Sequence, residues 1–293
     1  MPGITREGIA QLSLLETALW PLKGGPITTS TFETTYTFQE GATKRNARVS
    51  VFAPLGLQSI DEYVLWRLLA LCLSQKPSEP TLLATPYWFI KQLGLSVGGF
   101  QYDQLRASLE RLAVTAYQNT GFYNPVTKQH ERVTFHFLST FLPTKGSGGV
   151  VDSQRAWRVE WSDMFFRMCQ TTGGTLQFDL DMYRKLTPAA RRLFLKLKDL
   201  FWRAKQVFLN VDDLTVNGLG FSSERPLYKR KFDLANCLRE LLDANVIEFG
   251  RGQADVNDLF IRRGKGLYVV QLFEVAYCSI TANIWDCARF VDR

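Results

Sequence analysis

The chain has 293 residues, 46% of them apolar and 13% aromatic, which supplies packed cores and excludes a disordered tail. Its length fits two domains of ordinary size, and no apolar run approaches the roughly 20 residues that span a bilayer. The net charge of +7 is unevenly spread: Arg184–Lys231 holds twelve Lys or Arg against four Asp or Glu, a net of +8, so the remainder is close to neutral.

In chain order, Phe32, Thr34, Tyr36 and Phe38 alternate with Thr31, Glu33, Thr35 and Thr37. A Gly-Ala-Thr-Lys turn and Arg48–Phe52 follow, so residues 29–52 read as a hairpin with one buried face. Ser59 is read as the cap of a helix to about Gln75, with Asp61 and Glu62 in the first turn, where the helix dipole favours anions. Val64, Leu65, Leu68, Leu69, Cys72 and Leu73 give it a broad apolar stripe. A strand over Thr81–Thr85, a helix over Tyr87–Leu93 and a helix from Phe100 to about Ala113 come next. In the last of these, Tyr102, Leu105, Leu109 and Leu112 share a face, Gln104 and Arg111 fall opposite, and Arg106 sits at the flank. Strands at Val114–Tyr117, Arg132–Leu142 and Trp157–Trp161 complete a winged-helix order, and a generic α+β domain also fits this half. Residues 145–152 read as a glycine-rich turn, and a domain junction is expected near Gln170–Thr175.

The second half repeats the pattern. Thr187-Pro188 marks a helix start, because Thr supplies a cap oxygen and Pro tolerates the first helical position. That helix reaches about Ala204, with Leu193, Phe194, Leu197, Leu200 and Phe201 as its core face and Arg192, Lys196 and Arg203 pointing away. A strand over Val207–Asn210 and a short helix over Val211–Leu219 follow. Ser222 and Ser223 are read as caps of a long helix to about Asn245. Leu227, Leu234, Leu238, Leu241 and Leu242 line one side, with Arg225, Lys229 and Asn236 roughly opposite. Arg230 is placed on a flank, and Lys231 near the apolar stripe with its head group snorkelling out. Val246–Phe249 and Leu267–Phe273 read as wing strands around a loop bearing Arg251, Arg262, Arg263 and Lys265. The tail Ser279–Val291 has the pattern of a short amphipathic helix, expected to cap the second domain or to bind a partner.

The sequence holds no phosphate-binding glycine loop, dinucleotide fingerprint or zinc-protease motif. Cys72, Cys169, Cys237, Cys278 and Cys287 are odd in number and widely spaced, which argues against a disulfide framework or zinc site. His130 and His136 lack the spacing of a nickase metal pair and read as strand or turn residues. No cofactor, metal or catalytic residue is expected, and the opening residues carry no signal-peptide pattern. A cytosolic binding protein is the expectation.

A capped helix, a short apolar segment and a second helix that starts with cations follow the order of a helix-turn-helix. Such a helix enters the major groove and reads base edges from its N-terminal end. Arg225, Lys229, Arg230, Lys231 and Asn236 are therefore the candidate base readers. Arg192 and Lys196 are expected on phosphates, and Arg262, Arg263 and Lys265 on the neighbouring backbone or minor groove. A solvated basic face without a partner is the plain alternative.

The stretches DMYRKLTPAARRLF (181–194) and LRELLDANVIE (238–248) resemble the C-terminal winged helix of plasmid replication initiators of the TrfA type. QLSLLETALWPL (11–22) and YVLWRLLALC (63–72) resemble the related replication initiator protein A group. The resemblance implies an α+β chain of two tandem winged-helix domains, each a helical bundle with a small antiparallel β wing. Residues 1–170 would form a dimerisation and secondary DNA-contact domain with the N-terminal hairpin. Residues 171–293 would form the principal DNA-binding domain with the tail. It further implies double-stranded origin DNA with iteron repeats as partner, opening of an adjacent AT-rich tract, and recruitment of the host initiator and replicative helicase or its loader. Monomer–dimer exchange is implied, with Gln104, Arg106 and Arg111 as second DNA contacts. The long wing loop and the tail depart from the family pattern. A winged-helix repressor on an operator is the alternative reading, and a nickase or primase the least favoured.

Overall fold

Alternation along the first long strands produces the expected hairpin. β2 (Thr31–Glu40) and β3 (Thr43–Phe52) pair antiparallel through a two-residue turn, in which Gly41 takes a φ of +58° that a side chain would strain. The computed structural model describes residues 7–20, 22, 31–75, 78–144 and 155–275. The expected turn at 145–152 and the expected tail helix Ser279–Val291 lie outside them.

Contacts divide the chain into two units, one of residues 1–13 and 24–180, the other of 14–23 and 181–293. The break at 180 falls beyond the expected Gln170–Thr175 junction. The reason is local: β9 (Thr175–Asp179) pairs with β1 (Glu7–Gln11) at the other end of the first unit. Gly8 allows that pairing, since a Cβ there would sit 2.4 Å from the Phe178 ring. Helices and antiparallel sheets share the chain, so it is α+β.

The first unit is built around α1 (Ser59–Leu73). Every residue from Asp61 to Cys72 is buried, so the helix is a core rod and not the one-sided stripe read from the sequence. An amphipathic reading missed this because the polar residues inside it are satisfied internally. Arg67 donates to the Gln92 and Glu7 carbonyls, and Asp61 receives a two-bonded guanidinium from Arg111. The cap is Gln58, whose N–H donates to Asp61, one position before the expected Ser59. β4 (Thr81–Ala84), α2 (Pro86–Gln92) and α3 (Gly99–Val114) follow close to their expected positions.

The expected strand Arg132–Leu142 is two strands in two sheets. β6 (Gln129–His136) joins β5 (Ala116–Asn124) in the sheet β2-β3-β5-β6. β7 (Leu138–Leu142) joins β8 (Trp157–Trp161) in the sheet β4-β8-β7. The chain changes sheets at Phe137, whose fully buried ring packs with Phe135 and Phe165. Burying each such ring contributes about 1.5–3 kcal/mol. Phe165 belongs to α4 (Asp163–Gln170), which the sequence reading does not include.

The second unit continues with α5 (Leu180–Lys185), α6 (Pro188–Arg203), β10 (Gln206–Asn210), α7 (Val211–Asp213) and a π turn, Leu214–Gly218. α8 (Leu227–Asp243) starts later than read, after Pro226 rather than at Ser222 and Ser223. β11 (Ile247–Glu248) comes next. The stretch read as an open wing loop then contains a 3₁₀ turn, Val256–Leu259, and β12 (Phe260–Gly264), which forms a hairpin with β13 (Leu267–Glu274). Asp255 and Asp258 hold the 3₁₀ turn, and the backbone N–H groups of Asn257 and Ala254 lower their respective carboxyl pKa values. Strand order is β10-β13-β11, with β12 also on β13. Leu193, Phe194 and Leu197 of α6 and Leu234, Leu238 and Leu241 of α8 form the core.

Candidate nucleic-acid interface

α8 divides its residues sharply by helical angle. Arg230, Leu234, Cys237, Leu238 and Leu241 face inward, while Tyr228, Lys229, Phe232, Asn236 and Arg239 are exposed. Lys229 stands in the first turn and makes no ion pair or hydrogen bond with its side chain among the described residues. Arg239 donates to the Asn236 side-chain oxygen at 2.7 Å, which orients the amide on that face. Arg225 is exposed one residue before the cap position and pairs with Asp233 at 2.6 Å.

The β12–β13 hairpin is fastened to this helix by Lys231. Its ammonium lies 4.6 Å from the ring centroids of both Phe260 and Tyr268. Arg262 faces Tyr268 across the hairpin, so the two share a side of it. Arg262, Arg263 and Lys265 are exposed on the strand and at the tip. β12 holds Arg262 and Arg263, and the tight turn after it holds Lys265, so the hairpin fixes them relative to α8. A cleft of about 550 Å³ separates the tip at Gly266–Leu267 from Asn210, Asp212, Asp213 and Arg230.

Several cations of the dense sequence cluster are engaged within the fold. Arg230 is not on an outer flank: it is 6% exposed, donates to Thr215 Oγ1 and the Arg225 carbonyl, and pairs with Asp212 at 2.6 Å. Arg192, 7% exposed, donates to the carbonyls of Trp20 and Leu219 and stacks its guanidinium 4.9 Å from the Trp20 ring. Lys196 donates to the Glu16 carbonyl at 3.0 Å. Residues 14–20 therefore cover the side of α6 expected on phosphates. Ala18 N–H donates to Asn217 and Leu22 N–H to Gly220, completing the strap. Gly220, with φ +81°, admits it: a Cβ would meet the Trp20 oxygen at 2.8 Å. Arg191 and Arg203 likewise spend their donors on Tyr183, Arg184 and Asp199. Thr187 makes no cap bond, and its hydroxyl donates instead to Glu240 on α8 at 2.8 Å.

In the first unit, Arg111 is 8% exposed and belongs to the Asp61 pair, so it is a core residue and not an outward contact. Arg106 lies 3.6 Å from Asp103, and Gln104 is half-buried. The sequence reading missed Tyr228, Phe232 and Arg239. Phe232 was legible, since it falls opposite Leu234 on a helical wheel.

No family model matches the chain, and no curated protein does. Solved structures do. It is similar to the crystal structure of RctB domains 2–3 with a TM-score of 0.54 at 15% identity, over 95% of this chain and 100% of that one. A selenomethionine crystal of the same two domains aligns with the same TM-score at 14% identity, over 89% and 97% of the respective chains. At this identity the likeness is one of fold. No helix among the described residues is long and apolar enough to cross a membrane.

Proposed function

We propose that this chain is a non-enzymatic DNA replication initiator that binds double-stranded origin DNA. Each unit is read as a winged helix. In the first the order is α1, β4, α2, α3, β7 and β8, and in the second α6, β10, α7, α8 and the strands of the β13 sheet. α8 lies in the major groove and presents Lys229, Asn236 and Arg239, with Arg225 before it. The β12–β13 hairpin carries Arg262, Arg263 and Lys265 to the adjacent backbone.

The observation that carries this reading is the span of the likeness, since the alignment with RctB domains 2–3 covers 95% of this chain and 100% of that one. RctB is a replication initiator of Vibrio chromosome II. The exposed cationic face of α8 beside a basic hairpin gives that likeness a chemical basis here. A plasmid origin with iteron repeats, opening of an AT-rich tract, recruitment of the host initiator and helicase, monomer–dimer exchange and a cytoplasmic location extend the proposal through the TrfA-type resemblance. Deformable TA or CA steps beside the site would lower the cost of opening.

The test is a footprint of the purified protein on the DNA upstream of its own gene, at near-physiological salt. Direct repeats protected in helical phase beside an AT-rich tract are the expected result. A single palindrome over the promoter would instead make the protein an operator-binding repressor, and no protection at any salt would remove DNA as the partner.

A further inference from the structure

α8 exposes two aromatic rings where a purely electrostatic DNA surface needs none. Tyr228 is 69% exposed and Phe232 is 63% exposed, one helical turn apart on the face that carries Lys229, Asn236 and Arg239. Neither ring packs on another aromatic or carries a cation among the described residues. Placing such rings in water costs apolar hydration and does nothing for the unit's own core. Surrounding cations make the face an unsuitable seat for an apolar protein surface and a suitable one for a polyanion with apolar points on it. Duplex DNA has one such point in the major groove, the C5 methyl of thymine.

Resting on the DNA-binding reading above, we infer that Phe232 and Tyr228 are specificity residues that read thymine methyl groups. The spacing fits: four residues of helix advance about 6 Å, close to two base-pair steps of about 3.4 Å. The two rings thus address separate base pairs, while the Lys229 ammonium between them reaches a base edge of its own that carries no methyl. Asn236 continues the same line one further turn along the helix.

The test replaces thymine by deoxyuridine, one position at a time, in a duplex carrying the footprinted site. Pairing is preserved and only the methyl is lost. Wild-type protein should bind roughly fourfold more weakly for each contacted methyl removed, at one or two positions. Phe232→Ala should bind the thymine duplex more weakly and show no thymine-to-uracil ratio at one of those positions; Tyr228→Ala should do the same at the other. Lys229→Ala should weaken both duplexes while keeping the ratios. Wild-type indifference to every replacement, with site binding intact, overturns the inference and leaves the DNA reading standing. An unchanged ratio in Phe232→Ala overturns it equally, assigning the rings to another partner. Failure of wild-type protein to prefer the site over random DNA overturns both.

Discussion

α3 and α8 occupy the same place in the order of their units, each following a short helix and preceding the final strands, yet they present different chemistry. α3 carries Asp103, Arg106, Glu110 and Arg111, which sum to zero, and its outward residues are led by Phe100 at 72% exposure. α8 exposes Lys229, Arg239 and Asn236, and a hairpin with Arg262, Arg263 and Lys265 is fastened to it. The buried arginines differ less. Arg111 ties α3 to α1 through Asp61, and Arg230 ties α8 to Thr215 and Asp212. Both units spend an arginine on posing this helix, and only the second keeps cations to spare on its outer face. Element order alone does not distinguish the two helices; their exposed side chains do.

The largest expected effect comes from the arginine pose in the first unit. Asp61→Ala leaves the Arg111 guanidinium buried without its partner and should destabilise that unit by about 3–5 kcal/mol. Burial pushes the Cys72 and Cys237 thiols up to about 12, so neither forms appreciable thiolate near pH 8 until its own unit opens. Thiol labelling through a urea series, resolved by peptide, then reads the two units separately. Cys72 should label at lower urea in the variant and Cys237 should not move. If both shift together, the units do not unfold independently and the contrast between them loses its meaning.

Next is the strap. Arg192→Met strands the Trp20 and Leu219 carbonyls and should cost the second unit about 2–4 kcal/mol, seen as earlier labelling of Cys237. The salt dependence of DNA binding by the folded variant should be unchanged. A slope reduced by about one, with Cys237 labelling as in wild type, would return Arg192 to the phosphates.

That reversal marks where the sequence was opaque. Hairpin β2–β3, helices α1, α2, α3, α6 and α8, and strands β4, β8 and β10 were legible, because period 2 and period 3.6 are properties of neighbours along the chain. The strap was not. Arg192 looks outward when α6 is considered alone, and the segment that covers it lies about 170 residues earlier. Arg111 and Arg230 were misread for the same reason, since a charged residue on a helix reads as solvated until a partner from another element is placed on it. The split of residues 132–142 into two sheets rests on tertiary pairing that alternation cannot reveal. By contrast, Lys229 and Asn236 were placed outward by the wheel and are exposed.

Lys229→Ala should therefore leave stability near wild type and weaken specific binding by about 1–3 kcal/mol. Competition between the footprinted site and random DNA measures it. Full retention of both affinity and specificity would mean that α8 does not enter the groove.

The smallest expected effect falls on the salt dependence of binding. Lys265→Ala, at the hairpin tip, removes one candidate phosphate contact, and should lower the slope of log affinity against log salt by about 0.9. It should weaken specific and random duplexes by the same factor, because a phosphate contact positions without reading sequence. Arg106→Ala on α3 is the matched change in the first unit. There the guanidinium already faces Asp103 at 3.6 Å, so its removal should leave the slope unchanged. Equal slopes lost in the two variants would mean that the first unit also lies along the backbone, and that a local ion pair on α3 is exchanged for DNA on binding. An unchanged slope in Arg106→Ala beside a reduced one in Lys265→Ala would confine the phosphate contacts tested to the second unit.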